Sequence, residues 1–176
     1  MIYLDSGAVV KLVRQEEHSA DLVDWLNGHR GTPLVTSALV EVEVARALRR
    51  AAPQALVGVP AVLARLFRME LDATIKAAAA GFAETTLRSL DAIHLATAQV
   101  LAKESGGPLT AFVSYDPRLL TAAEESGLPT ASPGRDRTTA WLDHPAAPPA
   151  PTQATRMGYE WEHTSGWQLP EALPGA

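Results

Sequence analysis

Four acidic side chains stand at the edges of apolar segments in this sequence: Asp5 in MIYLDSGA, Glu43 in LVTSALVEVEVARAL, Asp91 in LRSLDAIHLATA and Asp116 in AFVSYDPRLL. A carboxylate beside a strand-like run is costly to bury unless something compensates it. Four of them point to one shared compensation, a divalent cation. Mg²⁺ and Mn²⁺ are hard ions that favour carboxylate oxygens and water. Like-charged carboxylates packed together repel, and a cation relieves the repulsion. Phosphodiester hydrolysis gains from ions that generate hydroxide and stabilise a leaving oxygen. Competing chemistries lack their signatures, because no GxxxxGK[ST], HExxH, GxSxG or GxGxxG occurs.

Each acid also has a plainer reading. Asp5, after IYL, suits a loop or a helix N-cap. Asp116 sits in Asp-Pro, a common turn and cap signal. Asp91 suits the first turn of a helix, as a dipole partner. Glu43 with Arg46 and Arg50 suits a solvated ion-pair face. Glu41 competes with Glu43, since two helical residues two apart point roughly 200° apart and only one faces a cleft. The pattern alone leaves that choice open. His94, three residues beyond Asp91, shares its face and reads first as a polar contact.

Elements must carry these residues to one place. Met1–Leu4 reads as a short buried strand, followed by a helical stretch through Ala8–Val13 and an amphipathic one at Ser19–Leu26. Pro33–Thr36 is a second strand, with Ser37 as N-cap of a helix running to about Arg50 and stopped by Pro53. Residues 60–88 are Ala-rich and helical, with breaks around Met69–Thr74. Ser89 caps a further helix to about Lys103, and Gly106-Gly107-Pro108 ends it. Leu109–Tyr115 is a third strand, Pro117–Ser126 a short helix, and Pro129–Ser132 a last strand. Strands separated by helices imply parallel pairing and an α/β sandwich, whose sites form outside the carboxyl ends of the strands. Asp5 and Asp116 sit at such ends, and Glu43 and Asp91 near helix starts.

Composition bounds the rest. A chain of 176 residues with 47% hydrophobic content holds one domain with a real core. Cysteine is absent, which removes disulfides, thiolate zinc sites and thiol catalysis. No apolar run approaches the ~18 residues of a membrane span and no secretory signal is visible, so a cytoplasmic protein is expected. The formal net charge of −5 argues against a passive nucleic-acid binder but not against a metal nuclease, whose acids are offset by cations. Residues 1–134 read as the domain. Residues 135–176, with PAAPPAPTQAT at 145–155, read as an extended linker and a mobile or partner-docked extension.

MIYLDSGAVVKL, SALVEVEVARAL, LDAIHLATA and FVSYDPRLL, in this order over about residues 1–134, resemble a PIN domain, and more narrowly a VapC-type toxin of a bacterial toxin–antitoxin pair. The resemblance implies a three-layer α/β/α sandwich with a central parallel sheet and a metal-dependent endoribonuclease. Its acidic quartet corresponds to Asp5, Glu43, Asp91 and Asp116, the spacing from the serine selecting Glu43 over Glu41. Asp5, Glu43 and Asp91 would be the main Mg²⁺ or Mn²⁺ ligands, with Asp116 completing the site through water. Ser6 and Ser114 would support it by hydrogen bonds. A homodimer and a cognate antitoxin are implied as partners beside the RNA, with Arg46, Arg49 and Arg50 as contacts for either. Ser6-Gly7 departs from the usual Thr-Ser or Ser-Ser after the first acid, which removes one hydroxyl. Two other readings stand beside this one: a non-catalytic PIN-like binding module, and a haloacid-dehalogenase-type phosphohydrolase with Asp5 as nucleophile.

Overall fold

The computed structural model describes residues 1–135 and 166–168. Five strands, β1 (Ile2–Leu4), β2 (Leu34–Ser37), β3 (Phe67–Met69), β4 (Ala111–Val113) and β5 (Thr130–Ala131), form one sheet in the order β3-β2-β1-β4-β5. Every pairing is parallel. Between the strands run α1 (Ser6–Val13), α2 (Ser19–Gly28), α3 (Val40–Ala51), a 3-10 turn (Pro53–Gly58), α4 (Val59–Leu63), α5 (Ala73–Ala80), α6 (Ser89–Glu104) and α7 (Pro117–Glu125).

Side-chain alternation on the strands divides the core in two. Ile2 and Leu4 point to the face covered by α1 to α4, with Leu12, Leu22, Val44 and Leu48 buried there. Tyr3, Val35 and Phe112 point to the other face, against Leu95 and Leu101 of α6 and Leu119 and Ala123 of α7. Helix α5 adds a satellite cluster in which Ile75 packs with Ala96 and Val100. The result is the three-layer α/β/α sandwich expected from the sequence. Strand order reverses beside β1, which pairs with β2 on one side and β4 on the other. Ligand clefts of open parallel sheets form at that switch point.

Three expectations change. Strand β3 lies inside the stretch read as helical. FRM is short and half-buried at the sheet edge, so it carries no period-2 signal. Ser37 does not cap α3: it is the last residue of β2 and fully buried, while Leu39 holds the cap position. Ser89 is the first residue of α6, whose cap, Arg88, makes no side-chain cap bond. Of the extension, only Arg135 and Gly166–Gln168 lie among the described residues, and the linker 145–155 lies outside them.

Candidate active site

The amide of Asp5 donates to the carbonyl of Val113 at 3.1 Å, so the ends of β1 and β4 are held side by side. Asp5 then serves as N-cap of α1, Oδ1 accepting from the Ala8 amide at 2.6 Å. Its other oxygen, Oδ2, accepts a very short bond from Ser114 Oγ, and the residue is only 5% exposed. Ser114 in turn accepts from the Asp116 amide at 3.1 Å through Oγ and from Ser132 Oγ at 2.6 Å through its carbonyl. Asp116 caps α7, accepting from the Arg118 amide at 2.9 Å, and its carboxylate stands 3.4 Å from the Arg118 guanidinium. The plain capping reading thus holds for both strand-end acids, and each still opens on the cleft.

Helix α3 contributes Glu43. Its Oε2 accepts from Ser6 Oγ at 2.6 Å and lies 2.8 Å from His94 Nε2. Glu41 points elsewhere and pairs with Arg68 of β3 at 2.9 Å. His94 is 2% exposed, and its Nδ1 lies 2.8 Å from the hydroxyl of the fully buried Tyr3. An ionised carboxylate only accepts, so the network assigns the ring proton to Nε2 and leaves Nδ1 to accept from Tyr3. The carboxylate of Asp91, half-buried in the first turn of α6, has no hydrogen-bond partner among the described residues. Asp5, Ser6, Glu43, Asp91, His94, Asp116 and Arg118 line one cleft of about 500 Å³.

The four acids differ electrostatically. Burial pushes the Asp5 carboxyl above its ordinary value, although Ser114 and Ala8 donate to the charged form. Burial and then the charge of Asp116 raise Asp91 as well. Burial also works upward on Glu43, but donation from His94 and Ser6 outweighs it and leaves the carboxyl below its ordinary value. Asp116 is lowered, because the Arg118 amide and guanidinium outweigh its burial. Two acids are therefore stabilised as anions by the protein, and two are not. A cation placed against Asp5 and Asp91 would supply what they lack. Among the described residues, no three acidic or histidine side chains converge closely enough to hold a metal ion as they stand. The donors are right in kind, hard carboxylate oxygens facing one cleft, and are spread rather than closed.

The PIN domain family matches residues 2–125. The chain belongs to the PIN domain family. Within it the chain is similar to Ribonuclease VapC35 of Mycobacterium tuberculosis H37Rv, 52% identical over 137 residues that make up 78% of this chain and 100% of that protein. It is also similar to Ribonuclease VapC47 of M. tuberculosis CDC 1551, 41% identical over 147 residues, again 78% of this chain and 100% of the relative. Among solved structures, the fold is like that of the M. tuberculosis toxin VapC20, described as cleaving the sarcin–ricin loop. The TM-score is 0.55 at 17% identity over 69% of this chain and 95% of that one. The match to the PIN domain over residues 2–125 sets the haloacid-dehalogenase alternative aside.

The structure brings Asp5, Glu43, Asp91 and Asp116 to the PIN cleft, with Ser6 bonded to Glu43 and Ser114 to Asp5. Arg46, Arg49 and Arg50 are exposed on α3 and do not line the cleft; Arg118 does. Sequence reasoning missed Tyr3 and Arg118. A tyrosine inside IYL reads as core, and only its hydroxyl, which must find a partner when buried, hinted at more. A Cβ at Gly7 would come into van der Waals contact with the Asp5 carboxylate, 3.4 Å from Oδ1.

Proposed function

We propose that this VapC-type PIN domain hydrolyses RNA phosphodiester bonds in the Asp5–Glu43–Asp91–Asp116 cleft, as the toxin of a toxin–antitoxin pair. The observation that carries the reading is the cleft itself. Four acids from β1, α3, α6 and the end of β4 meet at the switch point of a parallel sheet, in a chain 52% identical to a whole VapC ribonuclease. VapC ribonucleases are generally dependent on a divalent metal. Asp5 and Asp91, the two acids whose carboxyls burial raises above their ordinary values, and Glu43 would hold it, with Asp116 completing the set. Mg²⁺ is the ion we assign, with Mn²⁺ as substitute. Bound there, the ion would supply an activated water and neutralise charge on the phosphoryl oxygens.

The chain's own groups do the rest. Ser114 and the Ala8 amide fix both oxygens of Asp5. Ser6 and His94 fix Glu43 through one oxygen, Oε2, in a residue that lines the cleft. Arg118, on the rim, is placed to receive a phosphate of the RNA. The exposed arginines Arg46, Arg49 and Arg50 offer a cationic helix face to RNA or to the cognate antitoxin. We assign a homodimer acting in the cytoplasm, a catalytic domain over residues 1–134, and an extension over 135–176 that the reaction does not require. The extension assignment is supported by relatives whose full length is matched by 78% of this chain. No helix among the described residues is long and apolar enough to cross a membrane.

The deciding experiment incubates the purified chain and its Asp91→Asn variant with transfer, ribosomal and messenger RNA in Mg²⁺, Mn²⁺ or EDTA. Cleavage by the wild type with metal alone is expected. Cleavage that persists in EDTA, or in Asp91→Asn at the wild-type rate, would overturn the reading. Metal binding with no cleavage of any RNA would favour the non-catalytic module.

A further inference from the structure

Among the described residues, the extension meets the domain at Trp167 as well as at Arg135, where it begins. Trp167 lies on the outer edge of the apolar cluster beneath α1 to α4, half-buried. Its amide donates to Asn27 Oδ1 at 2.7 Å, and its carbonyl accepts from Asn27 Nδ2 at 3.0 Å. One side-chain amide on the last turn of α2 therefore reads both backbone groups of a single residue. This is how a protein holds a peptide in extended form without reading its sequence. The side chain is read separately: the guanidinium of Arg65, just after α4, stacks on the indole 3.7 Å from the ring centroid. Tryptophan is the best aromatic face for a cation, and arginine is the more frequent cation in such pairs. The preceding residue is glycine for a steric reason. A Cβ at Gly166 would come within 2.9 Å of Asn27 Oδ1, so a larger residue must shift the clamp, whereas Arg30 Nη2 at 2.8 Å is the end of a flexible side chain and can swing aside.

We propose that the face formed by Asn27 and Arg30 of α2 and its C-terminal turn, together with Arg65, is a peptide-docking site, and that this chain fills it with its own Gly-Trp segment, Gly166–Trp167, in cis. The site reads a small residue, then a tryptophan with both backbone groups free. It stands apart from the acidic cleft, since none of its residues lines that cleft. It is also an addition to the family's domain. VapC35 is covered over its whole length by 78% of this chain, so the remaining 22% has no counterpart in that relative. The site thus gives the extra segment a defined seat on the catalytic domain, independently of what that domain cleaves. A partner protein needing this helix face must present a stronger tryptophan anchor or displace this one.

The test uses the intact chain and follows exchange of the Trp167 amide by NMR. In the wild type that amide is expected to exchange at least about tenfold more slowly than in a free peptide spanning residues 165–169, at a rate independent of protein concentration. In Asn27→Ala the protection is lost while the amides of Leu22 and Val23 stay protected, which separates loss of the seat from loss of the helix. Gly166→Ala, which leaves the domain untouched, is expected to lose protection as well. Free-peptide exchange in the wild type overturns the proposal, as does protection retained in both variants. Protection that rises with protein concentration also overturns it, because the seat would then belong to the extension of a second copy.

Discussion

The hydroxyl of Tyr3, on the central strand β1, meets Nδ1 of His94, on helix α6, at 2.8 Å in a place closed to solvent. The opposite ring nitrogen of His94 holds Glu43 at 2.8 Å. Strand, histidine and cleft carboxylate form one line from core to active site. Tyr3 is fixed in its turn by parallel stacking on Phe112 at 5.2 Å. His94 therefore acts as a positioning residue whose own orientation is set from the core.

Replacing Tyr3 by Phe removes only the donor. A buried nitrogen left without its partner costs about 1–3 kcal/mol, and the unfolding midpoint is expected to fall by several degrees. Groups that orient an active-site ligand typically change activity about 10–100-fold, so kcat should fall within that range while the RNA is bound as before. Calorimetry alongside single-turnover cleavage checks both. An unchanged kcat with a lowered midpoint would reduce the tyrosine to a packing role.

Asp91 and Asp116 should not be equivalent. Asp116 is paired with Arg118 at 3.4 Å, while the carboxylate of Asp91 has no hydrogen-bond partner among the described residues and is raised partly by the charge of Asp116. Asp116→Asn relieves that repulsion and is expected to lower cleavage about 10-fold, within the range for supporting groups. Asp91→Asn removes a donor the cation needs and is expected to cost well over 100-fold, beyond that range. Equal losses in parallel assays would contradict this ranking.

Metal-free stability should depend on pH with a definite sign. Asp5 and Asp91 have folded pKa values above their unfolded ones. The folded state then holds their protons more tightly, so their contribution falls as pH rises from the ordinary aspartate range through the folded values. Glu43 and Asp116 are lowered and run the other way: their contribution is present above the ordinary carboxylate range and is lost as pH falls through the folded values. In EDTA at neutral pH, Asp91→Asn should melt slightly higher than wild type, by about 2 °C at most given its solvent screening. Added Mg²⁺ should reverse the order, because only the wild type gains the stabilisation of a bound ligand. Thermal melts of both proteins with and without Mg²⁺ decide it, and an equal rise in both would remove Asp91 from the metal site.

Ser114 carries two duties, donating to Asp5 and accepting from the Asp116 amide. Ser114→Ala removes a bond that favours the charged form of Asp5, so its already raised pKa should climb further. The acid limb of the rate–pH profile is expected to move upward, with the plateau rate reduced. A limb that stays in place would show that Asp5 is not the group whose ionisation limits the reaction.

The acids were legible in the sequence because a charge at the end of an apolar run is an anomaly that burial makes expensive. Their common cleft followed from parallel topology, which gathers strand ends on one edge. The helical pattern alone leaves Glu43 and Glu41 open; the family resemblance selects Glu43, and in three dimensions Arg68 of β3 pairs with Glu41. That partner was hidden because β3 itself was hidden, three half-buried residues flanked by helix-forming sequence. Tyr3 was hidden for the opposite reason: everything around it is apolar, and nothing in IYL distinguishes a core ring from one that anchors a site.

The bond from the Asp5 amide to the Val113 carbonyl has a consequence in time. Asp5 precedes Asp116 by 111 residues along the chain. At about 5–20 residues per second, roughly 6–22 seconds of synthesis separate them. Until β4 emerges and slots against β1, Asp5 has neither Ser114 nor Asp116 beside it, and the cleft lacks a wall. A nascent chain of this topology therefore has no complete acidic cleft until β4 has been made and has paired with β1.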